Sequence, residues 1–123
     1  MASIGDRVLD NGLSVLSSEA SRVDICSQEP TTYAEATSTY TLGNTTSITI
    51  ASPSDRTGGG RKVTMSAISA ASVTGTGTAT HYSITDTTNS RLLVTGSLTA
   101  SQSVASGNTF SLESLDIGIP DPS

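Results

Sequence analysis

The sequence predicts a mainly β fold, an antiparallel β-sandwich or jelly roll of seven to eight short strands with one α-helix at its N-terminal end. Ser and Thr make up roughly a third of the 123 residues, and these residue types suit half-exposed strand surfaces. Short segments that alternate apolar and polar residues are separated by turn signals. The connections are too short for βαβ units, so we expect neighbouring strands to run antiparallel.

The N-terminal segment has helical spacing. Apolar residues recur at intervals of mostly three to five, which predicts a helix over about residues 4–20. Ser3 or Asp6 could cap its start, and Gly12 weakens it by about 1 kcal/mol relative to Ala. We expect this helix to belong to a single domain over residues 1–119, followed by an extended tail at 120–123. The predicted apolar stripe consists of Ile4, Val8, Leu9, Leu13, Leu16 and Ala20.

The period changes to strand-like alternation after the helix. Residues 22–27 alternate, with Val23 and Ile25 on one face. Pro30 ends the ladder because it has no N–H to donate. Residues 28–39 are polar and irregular, which predicts a long surface loop of the kind that often makes contacts.

The rest of the chain predicts short strands joined by turns. The predicted strands are 40–42 and 47–51 around a turn at Gly43-Asn44, 62–66, 73–80 with a bulge at Gly75 or Gly77, a strand with Tyr82 and Ile84 on one face, 91–98, and a last strand from Phe110 through Leu115, Ile117 and Ile119. The predicted turns and flexible segments are 52–60, 87–90 and 106–108.

Composition restricts the function classes. The net charge of −5 and the scattered basic residues argue against nucleic-acid binding, which needs clustered Lys and Arg. No apolar run approaches the length of a membrane helix, and residues 1–10 do not resemble a signal peptide, so we expect synthesis in a cytoplasm and no membrane partner. The large apolar side chains are few and Cys26 has no disulfide partner, so we expect support from neighbouring chains.

The residues that could perform catalysis do not form a recognisable pattern. His81 is the only histidine, and no Gly-x-Ser-x-Gly elbow accompanies it. Cys26 follows Asp24, whose charge would raise the pKa of a thiol, and we expect a reduced, half-buried core residue. Residues 58–62 (Gly-Gly-Gly-Arg-Lys) differ from a phosphate-binding loop because a strand pattern follows Lys62, so we expect a flexible hairpin or crossover.

The carboxylates likewise form no specific site. Asp6 and Asp10 have the spacing of a solvated helix face, and Asp116 and Asp121 lie near the C-terminal end. No cluster of His and Cys matches a zinc site, and no acidic loop matches a calcium site. We therefore predict no catalytic residue, no cofactor and no metal, and we do not expect an enzyme.

The second half of the chain contains four motifs in a defined order: Gly58-Gly59-Gly60-Arg61-Lys62-Val63, Thr80-His81-Tyr82-Ser83-Ile84-Thr85-Asp86, Leu92-Leu93-Val94-Thr95-Gly96-Ser97-Leu98 and Val104-Ala105-Ser106-Gly107-Asn108-Thr109-Phe110. Together with the N-terminal helix and the Glu29-Pro30 pair, these motifs resemble a family of small virion structural proteins of tailed bacteriophages, described as head-decoration or tail-fibre-like proteins. The chain differs from that family in lacking the Trp often found before the His-aromatic strand and in having Pro120-Asp121-Pro122 near its end.

The resemblance implies a virion structural role and no catalytic residues. The leading expectation is a decoration or head-fibre-base protein on the capsid surface. It would bind the major capsid protein or other virion proteins and self-associate, with a trimer as one arrangement. We expect its contacts at the N-terminal helix, at residues 28–39 and at the C-terminal tail.

Two alternatives stay open. One is a structural component of the tail, collar or tail fibre. The other is a host-glycan-binding module, which needs aromatic platforms. The aromatic residues available for such a platform are Tyr33, Tyr40, Tyr82 and Phe110.

Overall fold

The computed structural model describes residues 5–119, which form two compact units. One unit comprises residues 5–19, 49–67 and 113–119, and the other comprises Ala20–Ile48 and Ile68–Leu112. In chain order, the described elements are α1 (Asp6–Glu19), β1 (Arg22–Cys26), a π-helical turn (Glu35–Thr39), β2 (Thr41–Thr45), β3 (Ser54–Asp55), β4 (Arg61–Met65), β5 (Ile68–Val73), β6 (Gly77–Asp86), β7 (Arg91–Val104), β8 (Thr109–Leu112) and β9 (Leu115–Ile119).

The predicted fold class is confirmed as a mainly β, antiparallel fold with one N-terminal helix. The strands form a six-stranded sheet in the order β7-β6-β1-β2-β5-β8 and a three-stranded sheet in the order β3-β4-β9. Every strand pair is antiparallel, and between residues 5 and 119 the strands number nine rather than seven or eight. The domain boundary at 1–119 stays a prediction, and the tail at 120–123 lies outside the described residues.

In the first unit, helix α1 packs against β4 and β9. The helix confirms the prediction for residues 4–20, with slightly shorter bounds. Leucines at positions i, i+4 and i+7 cover the buried side of the helix, and Val63 and Met65 of β4 are fully buried in the same unit. The buried leucines are Leu9, Leu13 and Leu16.

The predicted apolar stripe is wrong at Val8. Its side chain is 64% exposed, because about 3.6 residues complete a helical turn and Val8 therefore lies well away from the face that the leucines share. Ile4, the first member of the predicted stripe, lies outside the described residues. Ala20 follows the last helical residue and is half-buried.

In the second unit, β1 lies between β2 and β6, in the middle of the six-stranded sheet. Val23 pairs with Ile84 on one face, and Asp24 pairs with Ser83 on the other. All four side chains are fully buried, so both faces of β1 are covered. Cys26 is also completely buried rather than half-buried as expected.

The turn predicted at Gly43-Asn44 is wrong, because β2 runs straight through both residues. Gly43 is required there by close approach: a Cβ on Gly43 would lie 2.7 Å from the carbonyl oxygen of Ser72 and 3.0 Å from the ring of Phe110. The strand predicted at 47–51 reduces to a single bridge between Ile50 and Met65.

The strand predicted at 73–80 is interrupted: Val73 and residues 77–80 are in strands, but residues 74–76 are not. Strand β5 ends at Val73, the amides of Thr74 and Gly75 both donate to the carbonyl of Leu42, and β6 begins at Gly77. The predicted last strand is divided as well. Its first part is β8 in the six-stranded sheet, and its second part is β9 in the three-stranded sheet.

The predicted turns at 87–90 and 106–108 are confirmed. Strand β7 extends beyond the predicted 91–98 to Val104. Segment 52–60 is more ordered than predicted, since it contains β3 and the turn that leads into β4.

Candidate interaction surfaces

Residues 27–40, which we call the β1–β2 segment, fold back on themselves instead of forming the irregular loop predicted for 28–39. The carboxylate of Glu35 accepts hydrogen bonds from the backbone N–H and the hydroxyl of Thr31, each at 2.8 Å. The hydroxyl of Thr32 accepts from the Glu35 amide at 3.1 Å, and the amide of Tyr40 closes the π-helical turn on the Glu35 carbonyl at 2.9 Å. The bonds from Thr31 lower the pKa of Glu35.

An ion pair between the partly exposed Arg22 and the fully buried Asp24 anchors this segment to the sheet. The Arg22 guanidinium donates two parallel hydrogen bonds of 2.8 Å to Asp24, and a third of 3.3 Å to the carbonyl of Thr37 in the segment. The hydroxyl of Thr41 donates to Asp24 at 2.6 Å, so the buried carboxylate is well satisfied. The bond to Asp24 raises the pKa of Arg22, so the guanidinium stays charged.

The segment consequently presents an ordered outer surface. Pro30 and Ala36 are buried beneath it and fix its path. The backbone that carries the exposed side chains is already ordered. The segment therefore loses less conformational entropy when a partner binds it than a flexible loop would lose. The exposed residues are Ser27, Gln28, Glu29, Thr31, Thr32, Ala34, Ser38 and Thr39, of which only Glu29 is charged.

Of the four aromatic residues considered for glycan binding, two belong to this segment. Tyr33 and Tyr40 are both half-buried. Tyr82 is half-buried and lies over Gly96 of the neighbouring strand, and burial raises the pKa of its hydroxyl. Phe110 is buried, which removes it as an aromatic platform, because its ring fills the space above Gly43.

A second exposed surface belongs to helix α1 in the first unit. Val8 and Val15 are its large apolar side chains in contact with solvent, 64% and 38% exposed. They are seven residues apart, so they lie on one side of the helix. The C-terminal tail, the third predicted contact element, lies outside the described residues.

Strand β7 is a long edge of the six-stranded sheet. In residues 5–119 it pairs with β6 alone, and its one charged side chain is Arg91, at its first position. The pairing shifts register between Ala79 and His81 and again between Ile84 and Thr85. Such irregularities twist an edge and protect it from adding further strands.

Cys26 and His81, the two side chains considered as catalytic candidates, lie on the neighbouring strands β1 and β6. Cys26 is buried 3.9 Å from the Ser83 hydroxyl, and burial raises the pKa of its thiol from 9.0 to about 11. A thiol in that state is a poor nucleophile. His81 is the cross-strand partner of Cys26, and its Nδ1 lies 2.9 Å from the hydroxyl of Thr80.

The three glycines of the Gly-Gly-Gly-Arg-Lys motif lie in the turn of the β3–β4 hairpin, and Arg61 and Lys62 are the first residues of β4, so the expected hairpin is confirmed. Gly58, Gly59 and Gly60 have φ angles of 91°, 104° and 90°, which L side chains rarely adopt. Arg61 pairs with Asp10 at 2.8 Å and with Asp55 at 2.6 Å. Its positive charge is therefore compensated by carboxylates.

The candidate carboxylates have structural partners. Asp10 pairs with Arg61, and Asp116 pairs with Lys62 at 3.1 Å. The side chain of Asp6 and all of Asp121 lie outside the described part of the chain. Throughout residues 5–119, no group of three or more His, Cys, Asp or Glu side chains is placed to hold a metal ion, and no helix is long and apolar enough to cross a membrane.

Comparison of the chain with family models, curated proteins and solved structures finds no match. The feature that sequence reasoning missed is the internal order of the β1–β2 segment. Its only signal was the Thr-Thr-x-x-Glu spacing from Thr31 to Glu35, which is typical of a side-chain-capped turn.

Proposed function

We propose that the chain is a structural component of a tailed-phage virion, bound to the capsid surface as a decoration or head-fibre-base protein. The observation that carries the proposal is the ordered and largely uncharged outer surface of the β1–β2 segment. A surface of this kind fits a protein partner and requires no substrate pocket. The four sequence motifs, whose order resembles that of the tailed-phage virion proteins, support the same proposal.

The partners would be the major capsid protein or other virion proteins, together with further copies of this chain, with a trimer as one arrangement. A shell presents many identical binding positions. Linked contacts then raise the overall affinity even where each contact is weak, because each later contact forms at a high effective concentration. The protein would be made in the host cytoplasm and incorporated into particles.

The test introduces charge into the β1–β2 segment. The double variant Gln28→Arg/Ser38→Arg changes two exposed residues, and Thr46→Arg is the matched control on an exposed residue of the same unit. We expect the double variant to lose at least about 90% of its incorporation into purified particles, because unpaired charge is disfavoured in the core of an interface.

The control variant should be incorporated like the wild type, and all three proteins should unfold at the same urea concentration. Unchanged incorporation of the double variant would exclude the β1–β2 segment as the attachment surface. A location in the tail, collar or tail fibre would appear as a low copy number per particle.

A host-glycan-binding role is the second candidate, because Tyr33 and Tyr40 are both partly exposed on one ordered segment. In that case the isolated protein would bind a defined set of glycans on an array. Tyr33→Ala or Tyr40→Ala would then abolish this glycan binding. Gln28→Arg/Ser38→Arg tests the capsid role instead, through incorporation into particles.

A further inference from the structure

The first unit contains a polar cavity that the proposed attachment surface does not use. Its volume is about 220 Å³, smaller than the ~300–1,000 Å³ of sites that take drug-sized ligands. A cavity of this size suits the head group of a side chain. It is lined by Arg56, Thr57, Lys62, Asp116 and Gly118.

The β3–β4 turn holds Arg56 in a defined position. The amide of Arg56 donates to the carbonyl of Gly60, and the amide of Gly59 donates back to the carbonyl of Arg56, both at 3.1 Å. The guanidinium Nη1 also donates to the Gly59 carbonyl at 3.0 Å. The three glycines with positive φ allow the chain to wrap around the arginine in this way.

Gly118 on β9 provides the space that the arginine stem occupies. A Cβ at this position would lie 2.9 Å from Cδ of Arg56 and 3.2 Å from its Nε. Gly118 is also the cross-strand partner of Lys62, which brings the second cation to the same cavity. The side chain of Arg56 is therefore positioned before any ligand binds.

The cavity carries one net positive charge, because Arg56 and Lys62 share it with a single carboxylate, that of Asp116. Lys62 pairs with Asp116 at 3.1 Å, and the hydroxyl of Thr64 donates to the same carboxylate at 2.7 Å. Both bonds lower the pKa of Asp116, which remains ionised. The hydrogen bonds that the Arg56 guanidinium donates within residues 5–119 go to the carbonyls of Thr57 and Gly59, so its charge lacks a carboxylate partner there.

We propose that this cavity binds a single carboxylate group, as an acidic side chain of a protein partner presents it, between Arg56 and Lys62. The planar guanidinium matches a carboxylate in geometry and charge. Asp116 disfavours a dianion such as phosphate, because a second negative charge would face a fixed carboxylate. This proposal rests on the proposed function in one respect: the protein that presents the carboxylate would be another virion protein.

The test follows the backbone amide NMR signals of the isotope-labelled full chain during titration with four probes. These probes are sodium acetate, inorganic phosphate, a capped tripeptide with a central glutamate and its glutamine counterpart, all at constant ionic strength. We expect saturable shifts at the amides of Arg56, Gly59 and Lys62 with acetate and with the glutamate peptide, with Kd on the order of 1–10 mM.

Three variants assign the binding to the cavity. Arg56→Gln should weaken binding about tenfold or more, and Gly118→Ala should weaken it without any change of charge, because the added methyl displaces the arginine. Arg7→Gln is the matched control, since Arg7 is an exposed cation on α1, and it should leave the affinity within about twofold of wild type.

Equal shifts in wild type and Arg56→Gln, or equal binding of the glutamate and glutamine peptides, would overturn the proposal. Tighter binding of phosphate than of acetate would overturn its assignment to a carboxylate. Acetate binding without peptide binding would overturn the assignment to a protein side chain. None of these titrations involves particles, so a failure of the carboxylate site is distinguishable from a failure of the proposed virion role.

Discussion

The phenol ring of Tyr82 lies directly over Gly96, its cross-strand partner on β7. A Cβ on Gly96 would come within 2.5 Å of the Tyr82 hydroxyl oxygen and 2.7 Å of two ring carbons. The aromatic ring thus covers a strand glycine that has no side chain of its own to pack. An aromatic ring covers a second strand glycine in this sheet, where Phe110 of β8 reaches across β5 to Gly43 of β2.

We expect alanine at either glycine to lower the free energy of unfolding, and to lower it more at Gly43 than at Gly96. Gly43→Ala should reduce the free energy of unfolding by about 2–3 kcal/mol, because the new methyl would meet the backbone carbonyl of Ser72. Gly96→Ala should cost less, about 1–2 kcal/mol, because the tyrosine ring can rotate away. Urea unfolding measures both, and equal or negligible costs would contradict the packing described.

We expect loss of the Asp24 carboxylate, which pairs with Arg22, to destabilise the fold much more than loss of the exposed Asp55 carboxylate. Asp24→Ala should destabilise the fold by about 3 kcal/mol, because Asp24 is fully buried and the substitution deprives Arg22 of its partner. Asp55→Ala, the control, should cost less than about 1 kcal/mol, since Asp55 is 89% exposed in its pair with Arg61. Similar urea midpoints for the two variants would show that the Arg22–Asp24 pair does not anchor the fold.

Asp86 predicts a loss of stability in acid. The Asn89 side chain and the amides of Thr88 and Asn89 donate to its carboxylate and hold its pKa below the ordinary 3.8, despite burial. Its contribution is therefore complete above about pH 4 and is lost as the pH falls through the lowered pKa. Below pH 4, the urea midpoint of wild type should fall more steeply than that of Asp86→Asn, and parallel curves would contradict this role.

We expect the Cys26 thiol to be unreactive until the chain unfolds. Burial raises its pKa to about 11, and the side chain has no solvent exposure. At pH 8, a thiol-reactive disulfide reagent should label the native protein at least ~100-fold more slowly than the urea-unfolded protein. Rapid native labelling at pH 8 would mean that Cys26 is accessible.

Ala70 predicts a stabilising substitution. Its φ of 56° lies in the left-handed region, at the point where the β5–β8 pairing shifts register. Ala70→Gly should raise the free energy of unfolding by up to about 1 kcal/mol, because glycine adopts this backbone without steric strain. Ala51→Gly is the control at an exposed position outside the strands and should not stabilise the protein.

The sequence predicts best where periodicity and turn chemistry act together. Helix α1, strand β4 and the turns at 87–90 and 106–108 follow from leucine spacing, alternation and Gly or Asn signals. Gly43-Asn44 was misleading because the same residue type also permits close approach between strands. No local pattern distinguishes a glycine that turns the chain from one that lies beneath Phe110.

The errors elsewhere also have physical causes. Strand β5 is rich in Ala and Ser, so its alternation carries little hydrophobic contrast. The π-helical turn depends on hydrogen bonds between Thr31, Thr32 and Glu35, which leave no apolar period. The carboxylate site proposed at Arg56 depends on Gly118, which is distant in sequence and meets it only through pairing of β4 with β9.

The measurement that tests the virion role most directly is the copy number of this chain in purified particles, quantified by mass spectrometry against the major capsid protein. A decoration or head-fibre-base protein predicts a high copy number, on the order of hundreds of chains per particle for shell-wide binding. About six or twelve copies would move the protein to the tail or neck. Its absence from particles that otherwise contain a full set of structural proteins would contradict the virion role.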